Sequence, residues 1–418
     1  MSAPLARTVA PLRRPAYRAL LASLTCSLLA TGAWTLALIW QVLDLGGGPV
    51  EVSVVGATGS AFAVVTFLLG GVLADRVPAR RLLTGVEAVR ACSTGAVALA
   101  SVSGHLTLVH LVLAAAVQGV GTALYMPSYS ALLVRVLEPS ELPVANSIEG
   151  MLRPVTVQAL GPAAAGALVA VWSPAAAVAA AACAAVAAAV AAARLPHTDP
   201  DPAALSESLT AGLRGGLRHV VRTRWLLTTL LYSSVATLVV MGPMALLTPF
   251  AVRDSGGGPA EHALVLAALG IGAAAGSAAF LVVAPPRRHL SAMMVLWALA
   301  CLPLAVFGTG APLWLMVTAG FVVGTLFNAP MVIWGTLLQQ RVPRALLGRV
   351  SGLDFFVSLG LLPVSMALAG PVGSAIGLQA TFLGAAMIPA VLAVVAVLAG
   401  RLRAEESAHP LEVSRRTR

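Results

Sequence analysis

The chain is 418 residues long, 59% hydrophobic and only 10% charged, where soluble domains run at roughly 45–50% and 25%, so a soluble fold of this length could not bury its apolar surface. Its formal charge is +10, but there is no lysine: all 26 basic residues are arginines gathered in short segments between apolar runs. That placement speaks for membrane topology and against a nucleic-acid partner.

Arg7, Arg13 and Arg14 precede an apolar run from Leu20, like the start of a signal peptide. The run is long enough to span and no small-residue cleavage site follows, so it reads as a first, retained helix. Runs able to cross a hydrocarbon core of about 30 Å are predicted near 20–42, 52–74, 82–104, 106–128, 146–171 and 174–194, then near 226–251, 262–284, 290–309, 312–338, 350–371 and 376–400. The predicted fold is an all-α membrane protein of twelve transmembrane helices in two six-helix bundles, residues 1–194 and 226–400, with a linker at 195–225 and a tail at 401–418. The sixth run is an alanine tract, strongly helical by propensity and suited to close packing. The linker opens Pro/Asp-rich and continues with arginines spaced between apolar residues; it reads either as a helix on the anionic inner leaflet or as a solvated connector.

With the N-terminus inside, 23 arginines fall on one side, Arg253 alone falls on the other, and Arg90 and Arg153 lie within spans. The positive-inside rule then puts both termini in the cytoplasm. The halves echo each other: RVLEPSELPVANS and QRVPRALLGRVSG align Pro139 with Pro343, Leu142 with Leu346 and Ser147 with Ser351. Internal duplication is common among secondary transporters. Cys26, Cys92, Cys183 and Cys301 each lie in a different run without a CxxC pair, and are expected to be small packing residues with no metal or redox role.

Ionisable groups inside spans are costly and therefore functional candidates. Glu87 and Arg90 are three apart and Glu149 and Arg153 four apart, so each pair shares a helix face. Both pairs are placed within about two turns of the cytoplasmic ends, within snorkelling reach. They read either as self-neutralising pairs that hold helix ends or tie span three to span five, or as proton acceptors with cationic partners. Asp354, just inside span eleven, divides the same way, with helix N-terminal stabilisation near Arg349 as its structural role. Near the midplane the polar groups are amides, Gln118, Gln158 and Asn328, with aromatic Trp34, Tyr125, Tyr232 and Trp334 at or near those levels; these are candidates to line a substrate cavity, or else to bond and pack between helices. No carboxylate is expected at the midplane. The seven histidines form no HxxH or HExxH pair, and neither GxSxG nor GxxxxGK[ST] occurs, so no cofactor, no metal, no enzyme and no nucleotide-driven pump is expected.

Between spans two and three the chain reads GGVLADRVPARRL. This resembles the G-x-x-x-D-R-x-G-R-R signature of the major facilitator superfamily, matched by Gly71, Asp75, Arg76, Arg80 and Arg81, with Pro78 where glycine is usual. The resemblance covers the whole chain and is closest to the enterobactin-exporter-like and drug-efflux branch, through phrases such as MPSYSALLVRVLEP, ANSIEGMLRP and LLGRVSGLDFFVSLGLLPVSMALAGP. Gly161, Pro162 and Gly166 look like the bent-helix element of its antiporters. Two departures stand out. The stretch before Gln118 lacks the arginine often carried in span four, and APPRRHL after span eight lacks the acid and glycine of the repeated motif.

The resemblance implies the major facilitator fold and a monomeric secondary transporter in a bacterial plasma membrane. It would export a moderately hydrophobic small molecule, such as a drug, siderophore or natural product, by rocking its halves about a central cavity. Proton antiport would drive it, with Glu87, Glu149 or Asp354 as the coupling carboxylate and Asp75 as a gating latch. Uptake of a small nutrient is the alternative, followed by a non-transporting membrane enzyme or sensor.

Overall fold

The computed structural model describes residues 11–138, 141–196, 217–282, 288–342, 350, 353–354, 356–399 and 402–408, and every regular element among them is helical. Eleven stretches among the described residues are long and apolar enough to cross a membrane. The chain begins with α1 (Pro15–Asp44), α2 (Pro49–Arg76), α3 (Ala79–Val102) and α4 (Leu108–Val136). The fifth span is α5 (Leu142–Pro154) and α6 (Gly161–Val171) joined by a π-helical turn, Val155–Leu160. It is followed by α7 (Pro174–Ala193). The second half opens with α8 (Arg224–Ala236), π turns at Thr237–Met241 and Pro243–Leu247, and α9 (Thr248–Asp254), together one stretch of 31 residues. There follow α10 (Pro259–Val282), α11 (His289–Cys301) with a 3₁₀ extension Leu302–Gly308, α12 (Leu313–Arg341), α13 (Leu362–Ala399) and a short α14 (Leu402–Ala408). Spans eleven and twelve are expected to be separate, and the apolar stretch Phe356–Leu398 that holds them is broken at Gly377. The connection at Gly377 is a single non-helical residue, φ 83° and ψ 160°, which only a residue without Cβ adopts freely.

Local chemistry explains the helix starts. Pro15, Pro49, Pro174 and Pro259 take the first position of α1, α2, α7 and α10, where a missing N–H costs nothing and φ is preset. Before α2 and α10 the same turn is built twice, 210 positions apart (256 − 46 = 210), from GGGPVE and GGGPAE. Gly46 and Gly256 take φ of 80° and 81°. Gly48 N–H donates to Glu51 at 2.8 Å and Gly258 N–H to Glu261 at 2.7 Å, so each glutamate caps its own helix.

The chain forms two compact units, Met1–Ser206 with Gly258–Ala267, and Glu207–Gly257 with Ala268–Arg418. In the first, α1, α3, α4, α5 and α7 enclose Tyr17, Leu20, Leu24, Leu83, Tyr125, Tyr129 and Leu132. In the second, Trp225, Tyr232, Trp297 and Trp334 anchor the core. Val220, from the last turn of the linker, is buried in that second core while Leu217 and Val221 stay exposed; the rest of the predicted linker helix, 197–216, lies outside the described residues. The cysteines correct an expectation. Cys301 is buried, but Cys92 and Cys183 are exposed and pack against nothing inside the bundle.

Both units bring backbones together by omitting side chains. A Cβ on Gly119 of α4 would overlap the Gly59 carbonyl of α2, and one on Gly324 of α12 would overlap the Leu269 carbonyl of α10. Gly161 lies against Gly32 of α1, and Gly242 against Ser365 of α13. These are small-residue contacts of the kind that replace hydrophobic driving force between helices in lipid.

Candidate functional site

In the first unit, α1 carries Ser23, Ser27, Thr31 and Thr35 four residues apart, hence along one face. Glu87 and Arg90 of α3 meet this stripe. Arg90 is the twelfth of the 24 residues of α3, about 16 Å from the helix start at 1.5 Å per residue. Its guanidinium donates from Nη1 to Glu87 Oε1 at 2.8 Å and to Ser27 Oγ at 3.0 Å, from Nη2 to Thr31 Oγ1 at 2.7 Å, and from Nε to Gln118 Oε1 of α4 at 2.6 Å. Ser27 Oγ in turn donates to Glu87 Oε1 at 2.7 Å. Gly121 leaves the room for this, because a Cβ there would collide with Arg90 Cδ.

This corrects the expected exposure. Arg90 and Glu87 are 2% and 0% exposed; neither snorkels, because four acceptors from three helices hold the guanidinium inside. Arg90 links the Glu87 carboxylate to Gln118. The pair ties α3 to α1 and α4, not to span five as one reading had it. Glu87 Oε2 is buried and has no hydrogen-bond partner, a costly state for a charged oxygen.

A second polar cluster lies further along α4. Tyr129 OH donates to Glu149 Oε1 at 2.8 Å, the Glu149–Arg153 ion pair is loose at 3.7 Å, and Arg153 Nη1 approaches Met126 Sδ at 2.7 Å. Between the clusters Tyr125 stacks on Tyr129, ring centroids 6.2 Å apart, and its hydroxyl bonds Ser23 Oγ at 2.9 Å. At the start of α1, Arg14 bonds Glu138 at 2.6 Å and Glu141 at 3.1 Å. These bonds hold the Arg14 guanidinium above its usual range, Glu138 contributing most. The Glu141 carboxyl is held below its usual range, chiefly by the Glu138 backbone N–H and then, against some desolvation, by Arg14. A lowered carboxylate stabilises the fold above about pH 4 and loses that contribution as the pH falls.

Gln158, in the π turn, has a buried Oε1 without a partner, and Trp34 is buried. In the second unit Asn328 only bonds back to its own helix at Gly324 O, 3.1 Å. Trp334 Nε1 donates to Asp354 Oδ2 at 2.9 Å, Ser358 Oγ to Asp354 Oδ1 at 3.2 Å, and Trp225 meets Trp334 edge-on at 5.9 Å. Asp354 is therefore held by an indole and a hydroxyl; Arg349 lies outside the described residues. Tyr232 stacks on Trp297 at 5.9 Å with its hydroxyl unpartnered. Gly71, Asp75 and Arg76 lie in α2 with their side chains outside the described residues, Arg80 is half-buried, and Arg81 is exposed. Gly166 abuts Pro259 and Ala263 at the start of α10, and nearby Trp40 Nε1 donates to the buried His262 Nδ1 at 3.3 Å. No group of three or more His, Cys, Asp or Glu able to hold a metal occurs among the described residues.

Two features escaped the sequence reading although a signal existed. The hydroxyl stripe on α1 has a four-residue period. Gly242-Pro243, between two π turns, repeats in span seven the Gly161-Pro162 element of span five.

A family model for transmembrane secretion effectors matches residues 6–416. The chain belongs to that family. This secretion effector is 28% identical over 405 residues to the multidrug efflux pump Tap of Mycolicibacterium fortuitum, covering 94% of this chain and 97% of the pump. It is 25% identical over 423 residues to the Tap pump of Mycobacterium tuberculosis, covering 96% and 97%. Among solved structures it superposes on the nucleoside transporter NupG with a TM-score of 0.70 at 15% identity, covering 93% and 99% of the two chains. A POT family transporter bound to a thioalcohol-conjugated peptide matches with 0.70 at 10% identity, covering 92% and 96%; both likenesses concern the fold. The secretion effector is a major facilitator transporter of drug-efflux type and a multi-pass protein of the bacterial plasma membrane, not an enzyme.

Proposed function

We propose that the protein exports a moderately hydrophobic organic molecule by proton antiport and alternating access, with Glu87 as the coupling carboxylate. The observation that carries this is the buried Glu87–Arg90 pair with its unpartnered Oε2. Such an oxygen accepts a proton without breaking any bond already made, and the neutral acid then loosens its hold on Arg90, so loading a proton biases the helices that Arg90 ties together. The Tap relatives, multidrug efflux pumps by name, support the substrate class, and Gln158 offers a free amide acceptor for it. In proteoliposomes with an imposed pH gradient, Glu87→Gln is expected to lose gradient-driven efflux, while Glu149→Gln and Asp354→Asn keep part of it. Wild-type driven efflux in Glu87→Gln removes Glu87 from the role.

Twelve spans with both termini inside are proposed on two grounds. Gly377 interrupts the 43-residue stretch Phe356–Leu398 and leaves a segment on each side about 31 Å long, enough for one hydrocarbon core each. The arginine asymmetry supplies the orientation. Cysteines introduced at Ser103 and Thr309 are expected to react with an impermeant thiol reagent from outside, and at Arg80 and Arg288 only from inside. Labelling of either of the last two in intact cells overturns the orientation.

A further inference from the structure

We propose that Ser27, Ser23, Tyr125 and Tyr129 form a hydroxyl relay that carries the proton bound at Glu87 to Glu149 and so to the cytoplasm. This rests on the antiport reading above and extends it from one acid to a path. Three of its links are hydrogen bonds: Ser27 Oγ to Glu87 at 2.7 Å, Tyr125 OH to Ser23 Oγ at 2.9 Å, and Tyr129 OH to Glu149 at 2.8 Å. The two remaining joints, Ser27 to Ser23 and Tyr125 to Tyr129, each join residues one helical turn apart, about 6 Å along the axis, and in this proposal each takes one bridging water.

The column is walled off from bulk solvent. Ser23, Ser27, Tyr125 and Tyr129 are each 3% exposed or less, and only two carboxylates touch it, one at each end. Around Glu87, α1 presents Ser27 and Cys26, α4 presents Gln118 and Tyr125, and α3 itself presents Arg90. The tract α7 packs there with alanines. Around Glu149, α1 presents Tyr17, α4 presents Tyr129 and its own helix Arg153. No other titratable side chain faces either acid from the described parts of these elements.

The transfer balances. Once the protonated Glu87 carboxyl has turned its acid O–H from the Oε2 position towards Ser27, Ser27 Oγ accepts that proton as its own hydroxyl proton moves on, through one water to Ser23. Ser23 passes a proton to Tyr125, Tyr125 passes one through a second water to Tyr129, and the Tyr129 phenol proton goes to the Glu149 carboxylate. Each hydroxyl gains one proton and loses one, none keeps a charge, and rotation resets the chain. Glu149 then releases its proton to water, with Arg153 there to pair with the regenerated carboxylate.

The test uses the purified full chain in proteoliposomes loaded with a fluorescent cationic dye, comparing pH-gradient-driven efflux with dye exchange at equal pH, which needs no net proton movement. Ser23→Ala and Tyr125→Phe remove one hydroxyl each; the phenylalanine keeps the ring stack, and thermal unfolding checks both folds. The ratio of driven efflux to exchange is expected to fall at least about tenfold in both variants, a modest loss for a missing proton-transfer group. A wild-type ratio in both variants overturns the relay and leaves antiport standing. Wild-type efflux that ignores the gradient overturns antiport, and the relay with it.

Discussion

Arg90→Met is expected to lose most of its folded yield and about 3–5 kcal/mol of stability, because removing one partner of a buried ion pair strands the other. The acceptors left behind are Glu87, Ser27, Thr31 and Gln118, all bonded to Arg90 now. Adding Glu87→Gln should recover most of that loss, since replacing a whole buried pair by uncharged groups is often close to neutral. Transport driven by a pH gradient should not return with it. Thermal unfolding of the two single variants and the double variant gives the coupling energy directly. A single-variant cost below about 1 kcal/mol, the range of exposed pairs, means that water reaches the site and that the pair is not the buried lock described above.

Gly119→Val is the second large effect. Its side chain would meet the Gly59 carbonyl, a backbone atom that moves only if α2 moves, so the cost belongs at the upper end of overpacking, about 3 kcal/mol or more. Gly324→Val should do the same against Leu269 in the second unit. Gly85→Val is the contrast, because a Cβ there meets open space; it faces an apolar cavity of about 460 Å³ lined also by Phe62, Arg81 and Val89. Its folded yield should stay near wild type. Equal yields for Gly85→Val and Gly119→Val contradict the close approach of α2 and α4.

Hydropathy, the arginine asymmetry and the GGVLADRVPARRL signature made the membrane fold and the family legible, because all three are local in sequence. The burial of Glu87 and Arg90 was not. A span whose charge sits near a polar boundary allows snorkelling, and only partners about 60 residues away on α1 and 28 away on α4 decide against it. The Gln118 side-chain carbonyl is engaged by Arg90, whereas Gln158 keeps a free one. Periodicity reports which face of a helix a residue occupies, not which helix comes to meet it. The GGGPVE and GGGPAE turns were readable, and they mark the duplication more sharply than the loop echo at Pro139 and Pro343.

The alanine helix α7 has a consequence for how this transporter wears its history. Ala177, Ala181, Ala185, Ala188 and Ala192 are its deeply buried stripe, while Val186 and Val190 stand exposed on the other side. A methyl group has no rotamer to choose, so docking this face orders no side chains and leaves none to misplace. Apart from Val178, the α7 side of the seam against α1 and α3 is thus specified largely by backbone shape. Any change on the buried stripe except to glycine adds atoms, while the exposed stripe is free to drift, so variation across related chains should collect on one side of this helix and spare the other.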